Sequence, residues 1–153
     1  MLHFGYGSNM SRASMRLRCP NARDVGPAVL EDHRFLISTD GYATVVPEPG
    51  ARVHGLLWRL TSRDLAALNA YERLDTGLFR ARILPVRHGT GRVAALVYTG
   101  RSRTAGRPRP GYLELVVAAA RDLGLPHAYV RELARFAATA RGAARGPATG
   151  EAA

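Results

Sequence analysis

Several strand-like runs of this chain are apolar on both faces, and few folds can accommodate that. Val53 and Leu57 alternate with Leu56, Trp58 and Leu60, while Val93 and Val97 alternate with Leu96 and Tyr98. A strand wetted on one side carries polar residues at every second position, so these strands belong to a sheet that is closed on itself or covered by helices. Runs rich in aliphatic, β-branched and aromatic residues cover Val25–Ser38, Ala43–Val46, Val53–Leu60, Phe79–Val86 and Val93–Thr99. Turn signals at Asp40-Gly41, Pro47 to Gly50 and His88 to Gly91 separate them, and such short connections imply mostly antiparallel pairing.

The covering helices are legible too. Ser11 to Arg18 reads as a short helix with Ser11 as N-cap and Pro20 beyond its end, and Ser62 to Leu74 as a second. Tyr112 to Leu123 is a third, closed by Gly124, and Pro126 opens a fourth that reaches about Ala138. The expected fold is α+β, a small and mostly antiparallel β-barrel flanked by helices. At 153 residues the chain is long enough to bury one core, expected as a single domain over residues 1–140. The stretch 141–153 has no periodic apolar pattern and is expected to be a disordered tail.

The net charge of +10 comes entirely from arginine, since the chain has no lysine. Such a charge ordinarily points to nucleic acid or anionic partners. The arginines are spread along the chain, however, and with abundant Ala, Gly and Pro they match the bias of a GC-rich genome better than a selected patch. The densest stretch, Arg101, Arg103, Arg107 and Arg109, has no interleaved aromatics to stack bases and reads as a solvated loop, with substrate or partner contact as the second reading. Nucleic acid and membrane are therefore disfavoured as partners. The lone Cys19 excludes an internal disulfide and reads as structural, and with no signal-like or spanning apolar run the protein is expected in the cytoplasm. His3, His33, His54, His88 and His127 show no metal-ligand spacing.

Gly5-Tyr6-Gly7-Ser8-Asn9-Met10 follows the first apolar residues. Glycines at 5 and 7 allow positive φ, and successive backbone N–H groups in such a turn can cradle a carboxylate or phosphate. A plain β-turn is the alternative. A dinucleotide fingerprint would need glycine at Met10, a nucleophile elbow would need glycines at Tyr6 and Met10, and a Walker loop would need a lysine. The missing lysine also removes Schiff-base chemistry.

One carboxylate breaks the helical pattern. In the helix from Ser62, Leu65 and Leu68 define the apolar stripe, and Glu72 occupies the next position on it. Burial penalises the charged carboxylate and raises its pKa, which makes a general acid/base usable near neutral pH. Pairing with Arg73 or a swing into solvent is the structural alternative. Asp64, Asp75 and Glu114 sit at or near helix ends, where capping or exposure accounts for them.

The ordered set Tyr6-Gly7-Ser8-Asn9-Met10, Val53-His54-Gly55-Leu56-Leu57-Trp58, Tyr71-Glu72 and Gly77-Leu78-Phe79-Arg80 resembles the gamma-glutamylcyclotransferase-like family over residues 3 to 136. The resemblance implies a small barrel with flanking helices and a cofactor-independent enzyme that releases 5-oxoproline from a gamma-glutamyl amine or amino acid. It further implies that Tyr6, Gly7, Ser8, Asn9 and Met10 hold the gamma-glutamyl group, that Glu72 is the general acid/base, and that Tyr98 and Tyr112 line the pocket. Some members carry tyrosine where this chain has Phe79, so a hydroxyl contact near the leaving group is absent. Removal of a protecting gamma-glutamyl group from a natural-product intermediate is chemically equivalent, and a non-catalytic binding module on the same fold stands as the contrasting class.

Overall fold

The computed structural model describes residues 1–144. Five strands close into a barrel in the order β1-β3-β2-β4-β5: β1 Leu2–Gly5, β2 Arg23–Ile37, β3 Ala43–Arg59, β4 Phe79–His88 and β5 Gly91–Gly100. Four of the five seams are antiparallel, and β1 meets β5 in parallel through His3 and Leu96. The α-helices are α1 Arg12–Arg18, α2 Ser62–Tyr71, α3 Tyr112–Asp122 and α4 His127–Ala144. Helix α4 thus continues through residues 141–144, which the sequence assigned to a disordered tail; the rest of that tail, 145–153, lies outside the described residues.

The two apolar faces of the strands are buried in two separate clusters. Val53, Leu57 and Val97 pack with Leu113 and Val116 of α3 and Leu133 of α4. Their neighbours Leu56, Trp58, Leu96 and Tyr98 face the other way, against Met15 of α1 and Leu68 of α2. Alternate residues of one strand therefore both reach apolar surroundings, as the sequence pattern required. Truncating the fully buried Leu68 to alanine carries the usual cavity cost of about 2–5 kcal/mol.

Local chemistry sets most boundaries. Ser11 Oγ accepts the Ser14 N–H and starts α1. Thr61 and Asp64 form a reciprocal capping box at α2, so the buried Asp64 is a cap, as expected. Gly124, at φ 67°, follows the last turn of α3. One turn signal misled: Pro47 to Gly50 does not end a strand, because β3 runs unbroken from Ala43 to Arg59. Residues 48–51 instead bulge out of the register between His33↔Pro47 and Glu31↔Arg52, opposite Asp32, whose carboxylate accepts the Gly50 N–H at 2.9 Å. A long strand bent around a barrel needs such an irregularity, and Pro and Gly supply it without a reversal.

Candidate active site

A cavity of about 740 Å³ opens at the end of β1, walled by the turn after that strand, the end of α2, Tyr98 of β5 and the segment entering α3. Tyr6, Gly7, Ser8, Asn9, Glu72, Phe79, Tyr98 and Tyr112 all line it. Met10 does not. Its side chain is buried in the core and its N–H bonds to the Gly7 carbonyl at 3.0 Å.

Glu72 reaches the cavity because Leu68, one turn earlier, is fully buried and orients that face of α2 inward. The helix stops there: Glu72 is its C-cap, and Arg73 turns the chain with φ 53°. The carboxylate accepts a hydrogen bond from Asn9 Nδ2 at 2.9 Å. Burial pushes its pKa up to about 7, while the Asn9 bond and the Arg18 charge pull the other way.

The glycines work differently from the sequence expectation. Neither Gly5 nor Gly7 has positive φ. What each needs is space. A Cβ on Gly5 would lie 2.8 Å from the Asn9 carbonyl oxygen, and one on Gly7 would lie 2.7 Å from the Tyr112 hydroxyl. The chain is thereby folded tightly enough at residues 5 to 9 to bring Asn9 under the first strand. The cradle's donors are also fewer than a nest would offer, since the Met10 and Ser11 N–H groups close the 3-10 turn onto Gly7 and Ser8.

Arg18 compensates. Its Nη1 donates to Ser8 Oγ at 2.9 Å and Asn9 Oδ1 at 2.7 Å, and its guanidinium lies 3.9 Å above the Tyr71 ring. The stacked plane leaves a fixed positive charge at the cavity wall beside Ser8. Behind it, Trp58 Nε1 donates to the Asn9 carbonyl at 2.8 Å, and His3 Nε2 lies 3.2 Å from Asn9 Nδ2. The sequence pointed to neither His3 nor Arg18. A histidine inside an apolar strand, and an arginine three residues after the buried Met15, were the available signals.

The tyrosines differ in what they can donate. Tyr6 gives its proton to the Tyr98 carbonyl, and Tyr98 gives its own to Asn69 Oδ1 at 2.6 Å. Tyr112 accepts the Ala43 N–H at 3.1 Å, which leaves its proton available to a ligand. Burial raises all three phenol pKa values, so they are neutral donors. Of the arginine loop, Arg109 lines the cavity with its guanidinium 4.6 Å over the Tyr42 ring, while Arg101 pairs with Asp40 at 2.8 Å. Asp75 and Glu114 are exposed. Cys19 is buried with its thiol pushed up to about 11, an unreactive structural position. Among the described residues no cluster of His, Cys, Asp and Glu could hold a metal ion, and no helix is long and apolar enough to cross a membrane.

The sequence model of the AIG2-like family matches residues 52–133. The chain belongs to this family, the AIG2-like or gamma-glutamylcyclotransferase family. Gamma-glutamylcyclotransferases of mouse and human are each 26% identical to it over 143 residues, covering 86% of this chain and 76% of theirs. A solved structure named gamma-glutamyl cyclotransferase superposes with a TM-score of 0.81 at 24% identity, over 88% of this chain and 86% of that one. YkqA of Bacillus subtilis gives a TM-score of 0.76 at 23% identity, over 88% of this chain and 53% of its own. At these identities the two structures speak for the fold alone, a five-stranded mixed barrel with flanking helices.

Proposed function

We propose that the protein is a gamma-glutamylcyclotransferase that releases 5-oxoproline by intramolecular attack of the substrate's α-amino nitrogen on its own γ-carbonyl. The observation that carries this reading is Glu72, a buried carboxyl with a pKa of about 7 in the wall of a cavity that Ser8, Arg18 and Arg109 also line. Family membership supports it, as do relatives that bear this name.

Each step has a group suited to it. The substrate α-carboxylate sits against Ser8 and the Arg18 guanidinium, which holds the glutamyl chain folded for ring closure. Orienting two groups of one molecule in this way supplies up to several kcal/mol, on the order of what intramolecular reactions gain. An α-ammonium with a pKa of about 8 must lose a proton before it attacks, and the Glu72 carboxylate takes it. The nitrogen then bonds to the γ-carbon, and the developing oxyanion accepts the free Tyr112 proton. Collapse breaks the γ-carbon–nitrogen bond as Glu72 returns the proton to the departing amine, and the carboxylate so regenerated takes the second proton from the ring nitrogen, which leaves the neutral lactam of 5-oxoproline. No serine or cysteine nucleophile and no metal enters the sequence of steps.

Incubation with a panel of gamma-glutamyl amino acids and amines, assayed for 5-oxoproline, tests the reading. Turnover of at least one member is expected. Folded protein that turns over none of them would overturn it.

A further inference from the structure

His3 is a buried titratable group that the mechanism above does not use. It is 1% exposed, and both ring nitrogens are engaged inside the protein. Nδ1 lies 3.0 Å from the Leu96 carbonyl oxygen, and a carbonyl only accepts, so Nδ1 carries the hydrogen. Nε2 is then a bare lone pair, and it faces Asn9 Nδ2 at 3.2 Å. Asn9 spends its other N–H on Glu72 Oε1 at 2.9 Å and its carbonyl oxygen on Arg18 at 2.7 Å. Turning the amide over would set its oxygen against both the imidazole lone pair and the carboxylate, and its NH2 against the guanidinium.

We propose that His3 is a positioning residue for Glu72: by accepting one N–H of Asn9 it locks the amide so that the other N–H points at the carboxylate. The ring is itself fixed by an edge contact with Tyr98, at a centroid distance of 5.3 Å. The lock is thus anchored in β5 and acts across β1 on the end of α2. The other groups that face Glu72 are Arg18 from α1, Tyr6 after β1, Tyr98 from β5 and Tyr112 from α3. The three phenols stay neutral through the working range, so Arg18 and the Asn9 amide are what favour the ionised carboxyl. A loosened amide leaves Arg18 alone in that role, and the carboxyl then holds its proton to higher pH. The imidazole itself is kept neutral by burial, with its pKa lowered to about 4, so the lock does not titrate near neutral pH.

The inference rests on the cyclotransferase reading only for its effect on turnover, and its test needs no substrate. With glutamate labelled by 13C at the carboxyl, NMR titration follows Glu72, identified as the resonance missing in Glu72→Gln. His3→Met, which removes both hydrogen bonds, is expected to move the Glu72 midpoint upward by about half to one pH unit, part of the roughly one to two units that outright loss of a hydrogen bond to a carboxylate would give. His3→Gln can donate to Leu96 through Nε2 and accept from Asn9 through Oε1, and is expected to restore the midpoint. An unmoved midpoint in folded His3→Met, or an equal shift in His3→Gln, would overturn the proposal. A 15N spectrum of the unaltered protein checks it independently of any variant: the hydrogen is expected on Nδ1 of His3, and finding it on Nε2 would also sink the lock. If the midpoints move as expected and the unaltered protein forms no 5-oxoproline from any member of the substrate panel, the lock stands and the cyclotransferase reading falls.

Discussion

Asn9 Nδ2 lies 2.9 Å from Glu72 Oε1, joining residues 63 positions apart in the wall of the cavity. A carboxyl that is 9% exposed resists ionisation, and this single bond together with Arg18 keeps it from being protonated outright at neutral pH. Glu72→Gln keeps the size and can still meet Asn9, but it cannot exchange a proton. It is expected to lower kcat by about 10²–10⁴-fold, the range of general acid/base catalysis, with unchanged circular dichroism. The 5-oxoproline assay reads this directly, and full activity would remove Glu72 from the mechanism.

Two buried groups should tilt stability against pH in opposite senses. Glu72 has its folded pKa raised from 4.5 to about 7, so the stability it allows is fully present below about 4.5 and is lost as pH rises through 7. His3 has its folded pKa lowered from 6.5 to about 4, so its share is present above 6.5 and is lost as pH falls through 4. Between these limits the two contributions oppose each other in the unaltered protein. Thermal melts of Glu72→Gln should therefore become more stable with rising pH across that window, and those of His3→Gln less stable, each by an amount on the order of 3 kcal/mol at most. Parallel pH profiles for all three proteins would contradict the assignment.

How much of this was legible in the chain follows from the range of each interaction. The two-faced strands and the out-of-place Glu72 could be read because period-2 and period-3.6 patterns are local, and Leu65 and Leu68 announce which face α2 buries. The same locality made Asp64 readable as a cap. What failed was long-range. Pro47 to Gly50 carries the letters of a turn, and only its partner Asp32 on β2 makes it a bulge. Gly7 is needed because of Tyr112, and His3 matters because of Leu96, contacts that no window around either residue contains.

Arg18 is expected to act mainly on binding. Its guanidinium is the fixed cation beside Ser8, so Arg18→Met, which keeps much of the packing over Tyr71, should raise KM for gamma-glutamyl substrates about 10- to 100-fold, as for loss of one charge-assisted hydrogen bond. The acidic limb of the kcat/KM profile should move upward as well, because the positive charge that favours ionised Glu72 is gone. A change in kcat alone, with KM and the limb unmoved, would place the substrate carboxylate elsewhere.

Arg109 stands at the cavity mouth, held by its Nε on the Asp40 carbonyl at 3.1 Å and spread over Tyr42. Such a stacked cation should favour a leaving amine that carries its own carboxylate. A gamma-glutamyl amino acid is expected to give a higher kcat/KM than its C-terminal amide, and Arg109→Gln should narrow the gap by about tenfold or less, as befits an exposed charge. A gap that Arg109→Gln leaves unchanged would dismiss this role.

Gly7 and Tyr112 should be coupled energetically. A Cβ on Gly7 would sit 2.7 Å from the Tyr112 hydroxyl and 3.3 Å from Ala43 Cβ, so Gly7→Ala must push the phenol aside, at a typical overpacking cost of about 1–3 kcal/mol. Tyr112→Phe strips the hydroxyl, leaves the Ala43 N–H without its acceptor and costs about 1–3 kcal/mol. In the double variant the clash partner is already gone, so most of the alanine penalty disappears. The coupling in a double-mutant cycle from denaturant melts is expected to be favourable by about 1 kcal/mol or more. Turnover should not recover with stability, because the only uncommitted proton among Tyr6, Tyr98 and Tyr112 is absent from the double variant. Additive melts would show that Gly7 serves something other than the approach of Tyr112, and recovered activity would show that the oxyanion draws its proton from another group.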